Sequence, residues 1–194
     1  GSMNVNSGTD PYVTMVNSAN DAIGSLLELN PNNRVGVIAY SGNTSTNSAA
    51  TADTATVILP LGRYEKGIDA SNNRVYLVSS WSERSGRNTV TRNGVKVAPG
   101  VTGTKATGVT STFSESNSKQ VAGGTYTQNG IYKAYEMFSQ VGDIVITEGV
   151  QAGGKRKPVL VLMSDGSPTI ASTDYTKIDT SNSGNGNEAS YGSM

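Results

Sequence analysis

A carboxylate follows directly on an apolar run in the last quarter of the chain. Residues 159–169 read VLVLMSDGSPT, and Gly166 and Pro168 prevent a strand from continuing beyond Asp165. The run before Asp165 is typical of a strand that is buried on both faces. Asp165 therefore either caps a local turn or serves a site at the carboxyl edge of a sheet, and both interpretations are open at this point.

The absence of two residue types limits the chemistry of any such site. The chain contains no cysteine and no histidine. Disulfides, thiol nucleophiles, Ser-His-Asp catalysis and ordinary zinc sites are thereby excluded. A metal would have to be held by oxygen ligands, which favours Mg²⁺, Mn²⁺ or Ca²⁺.

Length and charge narrow the class of protein. The 194 residues suffice for one domain with a sizeable core, and 15 basic residues balance 15 acidic ones. A chain with zero net charge and no basic block is not expected to bind nucleic acid or an anionic membrane surface, and no apolar run is long enough to span a bilayer. Its richness in Ser, Thr and Asn suits an exposed bacterial surface protein.

The amino-terminal third predicts a helix followed by a buried strand. Asp10 is suited to cap the helix and Pro11 to begin it, while Pro31 ends it. The segment RVGVIAYSG, residues 34–42, predicts the strand, so the two elements form half of a βαβ unit. The strand expected before the helix is not found in this chain. One helix face carries apolar residues at helical spacing, namely Val16, Ala19, Ile23, Leu26 and Leu27.

The middle of the chain has a different pattern. Residues 54–62 predict another strand, and residues 63–120 predict a β-rich insertion or arm. Within the insertion, Asn93-Gly94 is a strong signal for a two-residue hairpin turn. Trp81 and nearby tyrosines either pack a small core of the insertion, which we favour, or form a recognition surface.

Helical periodicity returns after the insertion. The segment GGTYTQNGIYKAYEMFSQVG begins near Thr125 or Thr127 and predicts a helix with Ile131, Ala134, Tyr135 and Phe138 on one face. The basic residues 155–157 then lead into the run before Asp165, and we interpret them as a solvated turn rather than a binding patch.

Taken in order, the segments NRVGVIAYSG, GGTYTQNGIYKA and VLVLMSDGSP resemble the von Willebrand factor A domain, also called the integrin I domain. This resemblance implies an α/β fold, a doubly wound and mostly parallel sheet with helices on both faces. Residues 1–62 and 121–194 would form that domain, incomplete at both ends, and residues 63–120 would be inserted into it.

The resemblance also implies a metal-ion-dependent adhesion site. Thr125 matches the family's loop threonine, and Asp165 matches the aspartate at the end of a later strand. Ser2 matches the second serine of the family's Asp-x-Ser-x-Ser motif, whose aspartate and first serine would precede residue 1. An equally good interpretation is that the opening Gly-Ser-Met is a cloning remnant. The implied cofactor is one divalent cation, Mg²⁺ or else Mn²⁺ or Ca²⁺.

The function implied is extracellular adhesion, because similar domains with long insertions occur in tip adhesins of Gram-positive pili. The expected partner is a host matrix or cell-surface protein, with other pilus subunits as further partners, and the expected location is the cell wall or pilus. A structural pilus domain without a working metal site is the alternative. An enzyme using Asp165 is disfavoured, because histidine and cysteine are absent and two acids that precede it, Glu136 and Glu148, look like solvated residues.

Overall fold

The computed structural model describes residues 11–41, 55–103, 112–114, 125–139 and 152–164. Two helices lie in these ranges, α1 (Pro11–Leu29) and α2 (Thr127–Ser139). The same ranges contain strands β1 (Val35–Tyr40), β2 (Ala55–Gly62), β3 (Tyr64–Glu65), β4 (Gly67–Ile68), β5 (Arg74–Val75), β6 (Leu77–Ser85), β7 (Asn88–Val97), β8 (Thr102–Gly103) and β9 (Thr112–Ser114).

Helix α1 confirms the helix predicted for the amino-terminal third. It starts at Pro11 and ends at Leu29, just before the Asn30-Pro31 pair that disfavours further helix. Its buried face contains Val16, Ile23 and Leu27, as the apolar spacing predicted. Leu26, which was placed on the same face, is exposed instead.

The predicted doubly wound parallel sheet is wrong. All strand pairs in the described ranges are antiparallel, and they are β1 with β2, β3 with β8, β4 with β5, and β7 between β6 and β9. With two helices and mostly short antiparallel pairs, this part of the chain is β-rich rather than doubly wound.

Two features explain the error. In the β1–β2 pair, Val35 lies opposite Gly62 and Tyr40 opposite Ala55, so the two strands run antiparallel. The apolar patterns of these segments predicted strands but could not predict their relative direction. The run before Asp165 was predicted to be a buried strand. Within the described ranges residues 159–163 pair with no strand, and the side chains of Val159, Leu160, Val161, Leu162 and Met163 are exposed.

The core joins the predicted insertion to the rest of the described chain. Its buried cluster takes Ile58 and Leu59 from β2, side chains from α1, and side chains from residues 64–101. The side chain of Asn20 on α1 accepts hydrogen bonds from the Tyr76 and Leu77 amides. The division of the chain at residues 62 and 63 stays a prediction, although this one cluster includes residues from both sides of it.

The β6–β7 hairpin turns at a different place from the one predicted. Ser85 pairs with Asn88, so Gly86 and Arg87 make the turn, and Gly86 has a φ of 62° that favours glycine there. The predicted turn at Asn93-Gly94 is wrong. These residues lie inside β7, where the register shifts between Val78 and Ser80 of β6. An Asn-Gly pair can therefore mark a bulge as well as a turn.

Helix α2 is present as predicted, but its buried face is partly different. Gly130 and Ala134 are buried, whereas Ile131 and Tyr135 of the predicted face are exposed. Small residues face the sheet because α2 packs closely on β1 and β2. In the described ranges, neither helix has the length and apolar content needed to cross a membrane.

Candidate functional site

The three predicted metal ligands differ in what the structure says of them. Thr125 is described and lies half-buried, two residues before the start of α2. Ser2 and Asp165 lie outside the described residues. The site is therefore best approached through the described residues that lead to these positions.

Helix α2 begins beside the end of β1. A Cβ added at Gly130 would lie 2.9 Å from both Cγ and Cδ1 of Tyr40, so only glycine allows this close approach of helix and ring. Gly130 belongs to the first turn of α2, since its amide donates to the carbonyl of Tyr126. This contact holds the amino end of α2, and with it Thr125, near the last residue of β1.

The chain that leads to Asp165 reaches the same place. The hydroxyl of Tyr40 donates a hydrogen bond to the carbonyl oxygen of Met163, with an O–O distance of 3.1 Å. Met163 stands two residues before Asp165, and Ser164 lies between them. Tyr40 thus contacts both segments that were predicted to supply ligands, the one that starts α2 and the one that precedes Asp165.

Hydroxyl side chains accompany these contacts. Ser41 directly follows β1 and is buried, and Thr127 is the buried first residue of α2. The Thr127 hydroxyl has no hydrogen-bond partner in the part of the chain that the structure describes, which is uncommon for a buried polar group. We name Ser41, Thr125, Thr127 and Ser164 together the hydroxyl edge.

The sequence held a signal for each member of the hydroxyl edge. Thr127 was considered only as a start of the helix, although it is the second threonine of the GGTYT segment. Ser41 was not singled out at all. Its signal was a polar residue placed directly after an apolar strand, the same pattern that drew attention to Asp165.

The four side chains of the hydroxyl edge are neutral. No group of three or more His, Cys, Asp or Glu residues comes together within the described ranges. The carboxylate of Glu136 on α2 forms a salt bridge with Lys133, whose Nζ lies 3.0 Å from Glu136 Oε2. Neutral hydroxyls alone bind a hard cation weakly, so a cation at this edge would need a carboxylate, and Asp165 is one residue beyond Ser164.

A second group of polar and aromatic side chains lies on the β6–β7 hairpin. Lys96 Nζ lies 5.4 Å from the ring centre of Trp81, whose indole N–H donates to Glu83. Arg92 Nε lies 2.5 Å from the Glu83 carboxylate, and the Arg92 and Trp81 hydrogen bonds lower the pKa of Glu83. Trp81 is half-buried among these charged side chains rather than in an apolar core. The arrangement is a cross-strand ladder that stabilises the hairpin.

Comparisons with protein-family models, with curated proteins and with solved structures found no match to this chain.

Proposed function

We propose that the chain is an extracellular adhesion module that engages its ligand through one divalent cation, held by Ser2, Thr125 and Asp165. The observation that supports this proposal is the double contact of Tyr40. Its ring packs on Gly130 of α2, and its hydroxyl binds the Met163 carbonyl two residues before Asp165. Thr125 and the approach to Asp165 are thereby drawn toward the same end of β1.

The chemistry of these ligands suits a hard cation. Serine and threonine hydroxyls and a carboxylate are oxygen ligands of the kind that Mg²⁺ takes in proteins, and Mn²⁺ or Ca²⁺ can replace it. Three protein ligands leave coordination positions free. A carboxylate of a host matrix or cell-surface protein would fill one of them, which is how the cation would contribute to adhesion.

The proposal is one of binding rather than catalysis. The chain has no histidine or cysteine to move a proton or attack a substrate. Its location on a bacterial cell wall or pilus, with other pilus subunits as further partners, follows from the resemblance to pilus tip adhesins and from the Ser, Thr and Asn content. The proposal depends on the site residues and not on the parallel sheet, which the described strands contradict.

Cation-dependent stability tests the site. The melting temperature of the chain is measured by circular dichroism while Mg²⁺ or Mn²⁺ is added. A cation present at 100 times its Kd should stabilise the native state by about 2.7 kcal/mol. For a chain of this size that corresponds to a rise of about 5–10 °C in Tm.

Matched variants locate the effect. Asp165→Ala should abolish the rise, and Thr125→Ala should reduce it. Asp21→Ala, which removes an exposed aspartate of α1, should keep the full rise. Ser2→Ala separates the two interpretations of the opening residues, because a cloning remnant would leave the Mg²⁺ response unchanged while a true ligand would weaken it.

A wild-type chain whose Tm responds to neither Mg²⁺ nor Mn²⁺ would contradict the proposal. The alternative, a structural surface or pilus domain without a working metal site, would then be preferred.

A further inference from the structure

Five consecutive apolar side chains are exposed just before the hydroxyl edge. They form what we name the VLVLM segment, Val159, Leu160, Val161, Leu162 and Met163. Val159 and Val161 are each 74% exposed, and Leu160 and Leu162 are each 49% exposed, so neither face of the segment is covered. Residues of these types are normally buried, and a contiguous exposed run of them usually marks an interaction surface.

The VLVLM segment also has unused backbone groups. Met163 accepts the Tyr40 hydrogen bond, but residues 159–162 make no backbone hydrogen bond in the part of the chain that the structure describes. Backbone N–H and C=O groups beside apolar side chains need partners as soon as water is removed from them. A partner that covers the side chains must therefore supply hydrogen bonds to the backbone as well.

Two hydrogen bonds set the direction of this part of the chain relative to β1. At its start, Arg156 Nε donates to the carbonyl of Asn32 at 2.7 Å, just before β1. At its end, Tyr40 on the last residue of β1 donates to Met163. Residues 156–163 therefore run in the same direction as β1. Long side chains make both links, and the ladders among the described strands include none between these two segments.

Among the described strands, β1 likewise has a neighbour on one edge only. Its ladder partner in the described ranges is β2, and its six residues VGVIAY are all half-buried rather than fully buried. Its sequence is a continuous apolar run, as is the VLVLM segment. Such runs are typical of strands with parallel neighbours and both faces covered, whereas antiparallel surface strands alternate polar and apolar residues.

We propose that an extended apolar strand from another polypeptide inserts between β1 and the VLVLM segment, parallel to both. The inserted strand would extend the β1–β2 ladder by one strand on the β1 side. Its second edge would pair with the unused backbone groups of residues 159–162. Peptide recognition by strand addition uses main-chain hydrogen bonds for affinity and side-chain contacts for specificity.

Charge indicates one further property of the inserted strand. Lys155 and Lys157 are exposed at the start of the VLVLM segment, on either side of Arg156. A parallel strand would begin beside these basic residues. An acidic residue just before its apolar stretch would therefore be favoured, since opposite charges across an interface guide association and set the register.

The test uses a synthetic peptide in which one aspartate precedes about six alternating valine and leucine residues, followed by a polar tag that carries a fluorophore. Fluorescence anisotropy measures its binding to the whole 194-residue chain. We expect saturable binding with a Kd below about 1 mM, a modest affinity suited to one short strand. A peptide with lysine in place of aspartate should bind more weakly.

Variants of the VLVLM segment identify the site. Val161→Asp places a charge on the apolar strand, and Val161→Pro removes a backbone donor without adding charge. Both should weaken binding at least tenfold. Leu29→Asp alters an equally exposed apolar residue at the end of α1 and should leave binding unchanged. Because both positions are exposed, the circular dichroism spectrum and Tm of all three variants should match the wild type.

The direction of the bound peptide is read by NMR. A nitroxide at the amino end of the peptide should broaden the amide signals of Gly154 and Val35, and one at the carboxyl end should broaden those of Ser41 and Ser164. The reverse pattern, absence of binding, or binding that survives both Val161 variants would overturn the proposal. So would a dimer of the chain that Val161→Asp dissociates, because the segment would then pair with a second copy.

Discussion

Strand β2 and the VLVLM segment have nearly the same composition and opposite environments. Both are rich in valine, leucine and related residues, and the sequence predicted a strand for each. In the structure, Ile58 and Leu59 of β2 have no exposed surface, whereas Val159 and Val161 are three-quarters exposed. Apolar composition is therefore not what separates a buried strand from an exposed one.

The difference lies in the neighbours of the two runs. Strand β2 has a ladder with β1, is covered by α2, and contributes to the cluster built with α1 and residues 64–101. In the described ranges the VLVLM segment has no ladder. The Tyr40 side chain holds its last residue, Met163, and the Arg156 side chain holds the chain three residues before its first. Burial of an apolar run needs both a backbone partner and a covering surface.

Replacing one leucine of each region with alanine compares how much the two regions contribute to stability. Of all the variants predicted to lose stability, the one in β2 should lose the most. Leu59→Ala should lower the free energy of unfolding by about 2–5 kcal/mol, since it leaves a cavity in the core. Leu160→Ala removes the same atoms from a half-exposed site and should change it by about 0.5 kcal/mol or less. Urea unfolding followed by circular dichroism provides both values. Equal losses for the two variants would mean that the VLVLM segment is buried in solution.

Asn20 on α1 tests whether the core cluster around β2 depends on polar contacts as well as on apolar packing. Its side-chain amide donates to the Leu77 carbonyl at 3.0 Å, and its carbonyl accepts from the Tyr76 and Leu77 amides at 3.0 and 2.9 Å. Asn20→Ala leaves these partly buried backbone groups unpaired and should cost about 1–3 kcal/mol in the same urea experiment.

Asn17→Ala, at an exposed position on the same helix, is the matched control and should change stability by less than about 0.5 kcal/mol. If Asn20→Ala and Asn17→Ala lowered the free energy of unfolding equally, the effect would be one on helix propensity. It would not reflect the contact between α1 and residues 76–77.

Tyr64 provides the smallest expected effect, one that is visible only at alkaline pH. Its hydroxyl donates to the Pro60 carbonyl of β2, and burial raises the pKa of Tyr64 from 10.0 to about 12. Below pH 10 the neutral phenol is present in both states. Between pH 10 and about 12 the unfolded chain loses this proton before the folded chain does, so stability falls as pH rises.

Replacing Tyr64 with phenylalanine should make the fall in stability between pH 10 and 12 shallower than in the wild type. Urea midpoints measured at several pH values give the two slopes, and the comparison of slopes is independent of the hydrogen bond that the variant also loses. Identical slopes would contradict the assigned burial of the Tyr64 hydroxyl beside β2.

The fold could be predicted from sequence in its local elements but not in their pairing. The spacing of apolar residues in α1, and the Pro11 and Pro31 positions at its ends, determined the helix because these signals act within a few residues. Strand direction, the hairpin turn at Gly86 and the buried face of α2 depend on contacts distant in sequence. Tyr40 against Gly130 is one such contact, and no local pattern reports it.

The candidate site divides in a similar way. The restriction to oxygen ligands followed from the absence of histidine and cysteine, whereas Thr125 and Asp165 were assigned through the resemblance to the von Willebrand factor A domain. That α2 and the approach to Asp165 both contact Tyr40 could not be read from these patterns, because the residues lie 90 to 123 positions apart in the chain.

By itself the sequence determined the two helices, the main apolar runs and the restriction to oxygen ligands, since each follows from residue types and short-range spacing. Only the tertiary structure decided which apolar runs are buried, because burial requires a partner strand and a covering helix that the run does not contain. It likewise decided that β1 pairs with β2 in the antiparallel direction and that the VLVLM segment lies alongside β1 without pairing to it.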